Sequence, residues 1–319
     1  MLRGIRRAVL ATVCFASVLS AQSGYATLSG RVKDPTGAVM PGAVLLAKNV
    51  NTNVVLNLKS NSEGYFTFAN LIPGTYSLTA QFQGFRDFQR DDIVLRVGDR
   101  VTLDLPMEIG SAAERVTVTE SVPLLRTDDA QSGLVIDNKR IQELPQYNRN
   151  ALAFALLTPN VNGTSDQMTH DSDFRINGGR SAQAEYFIDG QPVTTGFLHN
   201  VPNSVPSMEA VSEFRVLTNG LSAEYGRLSG GAVVVVTRSG TNNLQGSVYE
   251  YFRNEKLNAN DWLSNRFGAR KAAFHDNVFG GTLGGPIVLP KVFNGQNKMF
   301  FFVNYKGTRH REDSKFLHS

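Results

Sequence analysis

The sequence predicts a mainly β chain with a small α+β domain in its middle. Three observations predict it. Short runs rich in Val, Thr, Tyr and Phe recur from residue 26 onward between clusters of Gly, Pro, Asn and Asp. Glycine supplies 29 of 319 residues, which suits an architecture with many tight turns. Helical patterning is brief wherever it occurs, and the length allows two or three domains.

Residues 1–21 read as an export signal. Arg3, Arg6 and Arg7 precede an apolar run from Ala8 to Leu19, followed by the small-residue stretch SAQSGYA. The run falls short of the roughly 20 residues that a spanning helix needs. Cleavage fits after Ala21 or Ala26, and the sequence leaves both open. Cys14, the single cysteine, lies in this segment, so no disulfide or thiolate metal site is expected beyond it. The formal charge is 32 − 28 = +4, and losing the three arginines leaves +1, so nucleic-acid binding is not expected.

Residues 26–109 read as a small β-sandwich. ATLSGRVKD, AVLLAKN, NVVLNLKS, GYFTFAN, GTYSLTAQF, FRDFQRDDIVL and RVTLDLPM make seven strands in roughly eighty residues. In GYFTFAN, Tyr65, Thr67 and Ala69 fall on one side and Phe66 and Phe68 on the other. Gly37, Pro41, Gly42, Gly64, Pro73 and Gly74 sit where turns require fixed or positive φ. GRVKDPTGAVMPGAV and SEGYFTFANLIPGTYSLTAQFQGF resemble the carboxypeptidase regulatory-like domain, which implies a transthyretin/Ig-like β-sandwich. The segment holds no HExxH and no histidine, so no peptidase chemistry is expected. Glycan binding is implied only by kinship with carbohydrate-binding-like sandwiches.

Residues 110–120 read as a linker, because MEIGSAAE breaks the strand rhythm. Within it ERVTVTE alternates Val116 and Val118 with threonines. On composition alone it reads as simply the next strand, since β-branched alternation is what any edge strand looks like.

Residues 121–240 read as the α+β domain. SGLVIDNKRIQELP gives a strand at Gly133 to Ile136, then a helix capped by Asp137 or Asn138, with Ile141 and Leu144 three apart before Pro145. ALAFALL is a second helical segment, and Asn160 to Asp173 reads as a mobile polar loop. FRINGGR places Gly178 and Gly179 in a turn needing positive φ, and Asp189-Gly190 marks a hairpin. SMEAV is a short helical patch; Phe214, Val216 and Leu217 belong to one strand, and Ala232 to Thr237 form a buried one.

RINGGR, YFIDGQPV and VSEFRVLTNGLSAEYGRLSGGAVVVVTRSGTN resemble the plug domain of TonB-dependent outer-membrane receptors of the Oar-like subgroup. The resemblance implies that ERVTVTE is a TonB box, in which Arg115, Val116, Thr117, Val118 and Thr119 add as a strand to the partner TonB. His170, Asp171 and Asp173 are read as solvated loop residues, not metal ligands. Asp189 is explained by its turn. With no GxSxG, phosphate-cradling loop or CxxC, neither an enzyme nor a cofactor is expected.

Residues 241–319 read as the start of an outer-membrane β-barrel. GSVYEYFRN, HDNVFGGTLGGPIV and KMFFFVNYKGTR are alternating, aromatic-bearing strands. A plugged barrel needs about 22 strands, so an incomplete barrel and a fragment of a longer receptor are expected. The expected function is energy-coupled uptake at the outer membrane, with the sandwich on the periplasmic side and the substrate unassigned. The alternative is a soluble periplasmic binding module with a glycan-binding sandwich.

Overall fold

The computed structural model describes residues 25–110, 115–118, 132–145, 149–165, 172–180, 183–194, 205–221, 225, 230–271 and 273–312. The export signal with Cys14 lies outside the described residues. The chain divides into two compact units near Thr237. The second also takes in Asn51–Val54 and Ser207–Ala210.

The first unit begins with the sandwich. Its strands are β1 (Ala26–Lys33), β2 (Val44–Asn49), β3 (Val55–Lys59), β4 (Tyr65–Leu71), β5 (Gly74–Gln81), β6 (Asp87–Leu95), β7 (Arg100–Thr102), β8 (Leu105–Pro106) and β9 (Arg115–Val118). One sheet runs β4-β1-β7, with β8 also on β1, and the other runs β3-β2-β5-β6-β9. Period-two alternation sends Leu28, Val32, Leu45, Phe66, Phe68, Leu78 and Leu95 into one core. Phe66 and Phe68 meet edge-on at 6.2 Å. Gly37, Gly42 and Gly64 have φ of +87°, +79° and +73°, so three of the expected turn glycines occupy the left-handed region.

RVTLDLPM is two strands, not one. β7 pairs with Thr27 to Ser29 and β8 with Val32 and Lys33, both parallel to β1. Between them the Leu103 main chain lies directly over Gly30, where a Cβ would come within 1.9 Å of the Leu103 carbonyl oxygen. The glycine permits this close approach.

The plug segment follows with β10 (Ser132–Asp137), α1 (Asn138–Glu143), β11 (Val161–Ser165), β12 (Ser172–Ile176), β13 (Ala184–Ile188), β14 (Gln191–Pro192), β15 (Val211–Asn219) and β16 (Gly231–Thr237). Its main sheet runs β10-β15-β16-β13-β14, antiparallel except between β13 and β16. Asp137 caps α1 by accepting from the Arg140 amide at 2.9 Å, and Ile141 is fully buried. Leu144 is 37% exposed and closes the helix.

One expected helical segment is present in a tighter form, and two expectations need correction. ALAFALL is a 3₁₀ segment, Ala151–Leu157, because the Asn150 and Ala155 carbonyls accept from amides three residues on. The stretch from Asn160 to Asp173 is not simply a loop. Val161–Ser165 and Ser172–Ile176 pair as an antiparallel hairpin, and 166–171 lie outside the described residues. The positive φ expected at the paired glycines falls on Asn177 (+54°) and Gly178 (+71°). Gly179 instead makes a close approach, its added Cβ coming within 3.0 Å of the Ile176 carbonyl oxygen.

The second unit contains β17 (Gln245–Asn254), α2 (Trp262–Arg266), β18 (Phe274–Pro286), the short pair β19 (Val288–Leu289) and β20 (Phe293–Asn294), and β21 (Phe300–Glu312). β17, β18 and β21 form a three-stranded antiparallel sheet. Its register places Val248, Phe252, Leu283, Val303 and Tyr305 on one exposed face, interrupted by Glu250. The polar stretch before β18 holds the short helix α2, capped by Asp261, which composition did not reveal. No helix among the described residues is long and apolar enough to cross a membrane.

Gly30→Ala is expected to destabilise the sandwich by about 1 to 3 kcal/mol through overpacking. Urea unfolding followed by circular dichroism measures it, and an unchanged midpoint would refute the close-approach account.

Candidate functional site

Arg115–Val118, four of the five residues assigned to TonB pairing, form β9, and Thr119 lies outside the described residues. β9 runs parallel to β6, with Asp87 opposite Arg115, Phe88 opposite Val116, Gln89 opposite Thr117 and Arg90 opposite Val118. The reading from composition, a further strand, is what the structure shows. The segment is the next strand of the sandwich, and it is the last strand of its sheet. Among the described residues no other strand pairs with its outer edge. Such an edge carries a row of backbone donors and acceptors able to accept another strand.

β6 leads straight into a loop that joins the sandwich to the plug sheet. Arg96 to Asp99 form a tight turn, in which the Arg96 amide donates to Asp99 Oδ2 at 3.0 Å and the Asp99 amide to the Arg96 carbonyl at 3.0 Å. Gly98 supplies the positive φ of +68°. The Asp99 carbonyl accepts from the Thr27 amide at 2.8 Å, tying the turn to β1 as well. At the turn, Val97 is fully buried in a cluster with Phe187, Leu217, Ala232 and Val234 of the plug. Leu221, Val236 and Tyr225 flank it, and Phe187 meets Tyr225 edge-on at 5.3 Å.

Strand parity explains why the plug offers this surface. Phe214 and Val216 of β15 share one face, while Glu213, Arg215 and Leu217 share the other. The odd face receives Val97. The Val97 amide donates to Glu213 Oε2 at 2.7 Å, and Arg215 Nη1 donates to the Val97 carbonyl at 2.7 Å. Arg215 Nη1 also lies 3.9 Å from Asp99 Oδ1, both side chains being buried. A Cβ at Gly98 would come within 2.9 Å of Arg215 Nη1, so a side chain there would press on that guanidinium.

Burial pushes the Glu213 carboxyl above its ordinary value of 4.5; the Val97 amide opposes the shift, and the Asp99 charge reinforces it. The junction holds two segments together.

Sequence reasoning singled out none of Val97, Glu213 and Arg215. A signal was present: two charged residues alternate with apolar ones inside EFRVL, in a strand that otherwise reads as buried. Asp189 was credited only with its turn, where φ is +47° with Gly190 at +76°. It also accepts from the Thr237 amide at 2.8 Å and from the Thr237 hydroxyl at 2.7 Å, closing the end of β16. That second task corrects the turn-only account.

Among the described residues no group of three His, Cys, Asp or Glu side chains is placed to hold a metal. His170 and Asp171 lie outside them, and Asp173 stands in β12. A shallow recess lined by Asn160, Val161, Asn162, Asn177 and Gly178 offers amides but no distinguishing charge.

Three family models match the chain in succession. They are the carboxypeptidase regulatory-like domain over residues 27–108, the TonB-dependent receptor plug domain over 126–233 and an outer membrane beta barrel domain over 236–318. The TonB-dependent transporter Oar of Myxococcus xanthus is 25% identical over 324 residues, covering 94% of this chain and 29% of that protein. The chain thus spans less than a third of the length of this curated relative. Among solved structures, the siderophore receptor PirA from Pseudomonas aeruginosa is 22% identical at a TM-score of 0.36, over 57% of this chain and 29% of that one. PirA from Acinetobacter baumannii is 18% identical at a TM-score of 0.38, over 56% and 24%.

The raised Glu213 pKa fixes the sign of a pH effect. The folded chain holds this proton more tightly than the unfolded chain, so the contribution to stability is full below the ordinary value of 4.5 and is lost as pH rises through the folded value. Glu213→Gln keeps an acceptor for the Val97 amide and does not titrate. The stability of the unsubstituted chain relative to this variant should fall as pH rises from 4.5 toward neutrality, measured by paired denaturant titrations; a flat difference contradicts the burial account.

Proposed function

We propose, from the premise that this chain belongs by its three successive domains to the TonB-dependent receptor family, that it forms the periplasm-facing gate of an outer-membrane transporter. The plug segment blocks a barrel whose first strands are β17, β18 and β21. A pull delivered by TonB at Arg115 to Thr119 rearranges the plug so that substrate enters the periplasm. The sandwich sits on the periplasmic side, where TonB is reached. The chain contributes positioning and movement, and the inner-membrane energy source supplies the work.

The observation that carries this reading is the place of β9. It is the end strand of a sandwich sheet, extended, and it precedes the plug segment in the chain. Strand addition to such an edge gains affinity from main-chain hydrogen bonds, which is why β-branched residues serve there better than charged ones. The transported substrate is left unassigned, since the recess beside Asn160 and Asn177 selects for no particular chemistry.

Val118→Pro removes one backbone donor and restricts the strand. Binding of the periplasmic domain of TonB to the chain should weaken by about tenfold or more, the effect of losing about one hydrogen bond's worth of free energy. Calorimetric titration reads it, and unchanged affinity would remove Arg115 to Thr119 from the TonB interface.

A further inference from the structure

We infer that the sandwich is the mechanical handle of the plug. A partner strand adds to the outer edge of β9 while its inner edge stays on β6, and tension then reaches β15 through the Arg96–Asp99 turn. This rests on the TonB reading for the identity of the partner, but not for the mechanical tie.

Four residues, 111–114, join β9 back to the sandwich, whereas thirteen, 119–131, join it forward to β10. At roughly 3.3 to 3.6 Å per extended residue, the backward leash is taut at about 15 Å and the forward one only at about 45 Å. The short backward connection therefore limits how far β9 can part from the sandwich to about 15 Å.

The sandwich side is anchored at both ends. Before 111, the Glu108 carbonyl accepts from the Arg86 amide at 2.8 Å, and Ile109 bridges to Phe85. Phe85 and Arg86 immediately precede β6, which carries the four register pairs with β9. A pull along the strand axis loads those pairs together instead of peeling them one at a time. At its other end β6 runs within two residues of Val97.

The turn is built to transmit rather than to slip. Val97 is fully buried against three plug strands, its amide and carbonyl are both bonded to β15, and the turn is closed on itself by Asp99. Undocking it would break both of those hydrogen bonds and expose a fully buried valine in one step. β15 in turn is paired along its length on both sides, to β10 and to β16. Load entering at Val97 thus arrives at an interior strand of the plug sheet.

Two measurements test this on the whole chain with Cys14→Ser. In the first, Gln89→Cys and Thr117→Cys, register partners on β6 and β9, are oxidised to pin β9 in place, and the periplasmic domain of TonB is titrated into both redox forms. Equal affinity is expected. A loss of tenfold or more on oxidation, reversed by reductant, means the partner must strip β9 away and overturns the inference. If the chain without the cysteine pair also fails to bind, the TonB reading falls, and the tie is judged by the second measurement alone.

In the second, a handle on Thr117→Cys is pulled against a tether at the chain terminus by force spectroscopy. The sandwich and plug are expected to yield in one joint event, and Val97→Asp is expected to add an earlier, weaker separation. Arg215→Ala, which removes a donor to Val97 without placing a new charge in the core, is the second variant in case the first fails to fold. Traces identical to the parent chain in both variants would show that the forward linker carries the load, and the tie would be refuted.

Discussion

A buried peptide group must find hydrogen-bond partners, and at Val97 that requirement organises the junction between two segments. The side chain sits among plug residues with no solvent exposure, so its amide and carbonyl cannot be served by water. Both partners come from one strand, β15, as an acceptor at Glu213 and a donor at Arg215. Leaving either group unmet would cost about 1 to 3 kcal/mol. The two ionisable residues owe their place in a buried strand to this task. The upward push on the Glu213 carboxyl is the cost of placing it there.

The arrangement works because a β-strand has two faces and the plug sheet uses both. Phe214 and Val216 face the side that buries Tyr186, which lies 6.2 Å from Phe174, and the register aligns them with Val235 and Val233. Glu213, Arg215 and Leu217 face the other side, aligned with Val236, Val234 and Ala232. A one-residue slip would exchange the two sets, burying charge among the aromatics. The run of four valines in β16 tolerates burial on both faces, which is why it reads as nearly continuous apolar sequence.

How much of this was legible follows from what each signal measures. Strands and turns of the sandwich could be read because alternation and turn glycines are local, and Phe66, Phe68, Gly37, Gly42 and Gly64 behave accordingly. The Asp137 cap and the Asp189-Gly190 turn were local too. Helix type at Ala151–Leu157 was not, because a seven-residue apolar patch does not distinguish i+3 from i+4 bonding. The hairpin of β11 and β12 was hidden by polar composition. Its strands are paired through backbone groups that composition does not report. The Val97 junction was least legible, since it joins residues more than a hundred positions apart and its value depends on contacts that no window contains.

The same distinction bears on ERVTVTE, whose strand character the structure shows. Composition could not separate a structural strand from a docking segment, because the property it detects, a preference for extended backbone, serves both. An end strand has one edge satisfied by its neighbour and one edge that is not. Being held by β6 is therefore no argument against receiving a partner. It preorganises four residues that would otherwise have to be fixed on binding, at a conformational cost of about 1 to 2 kcal/mol each. A segment lying loose between two domains would meet that cost at every encounter. One already laid along the sandwich meets it during folding, and it passes whatever force arrives to the strand that leads to Val97.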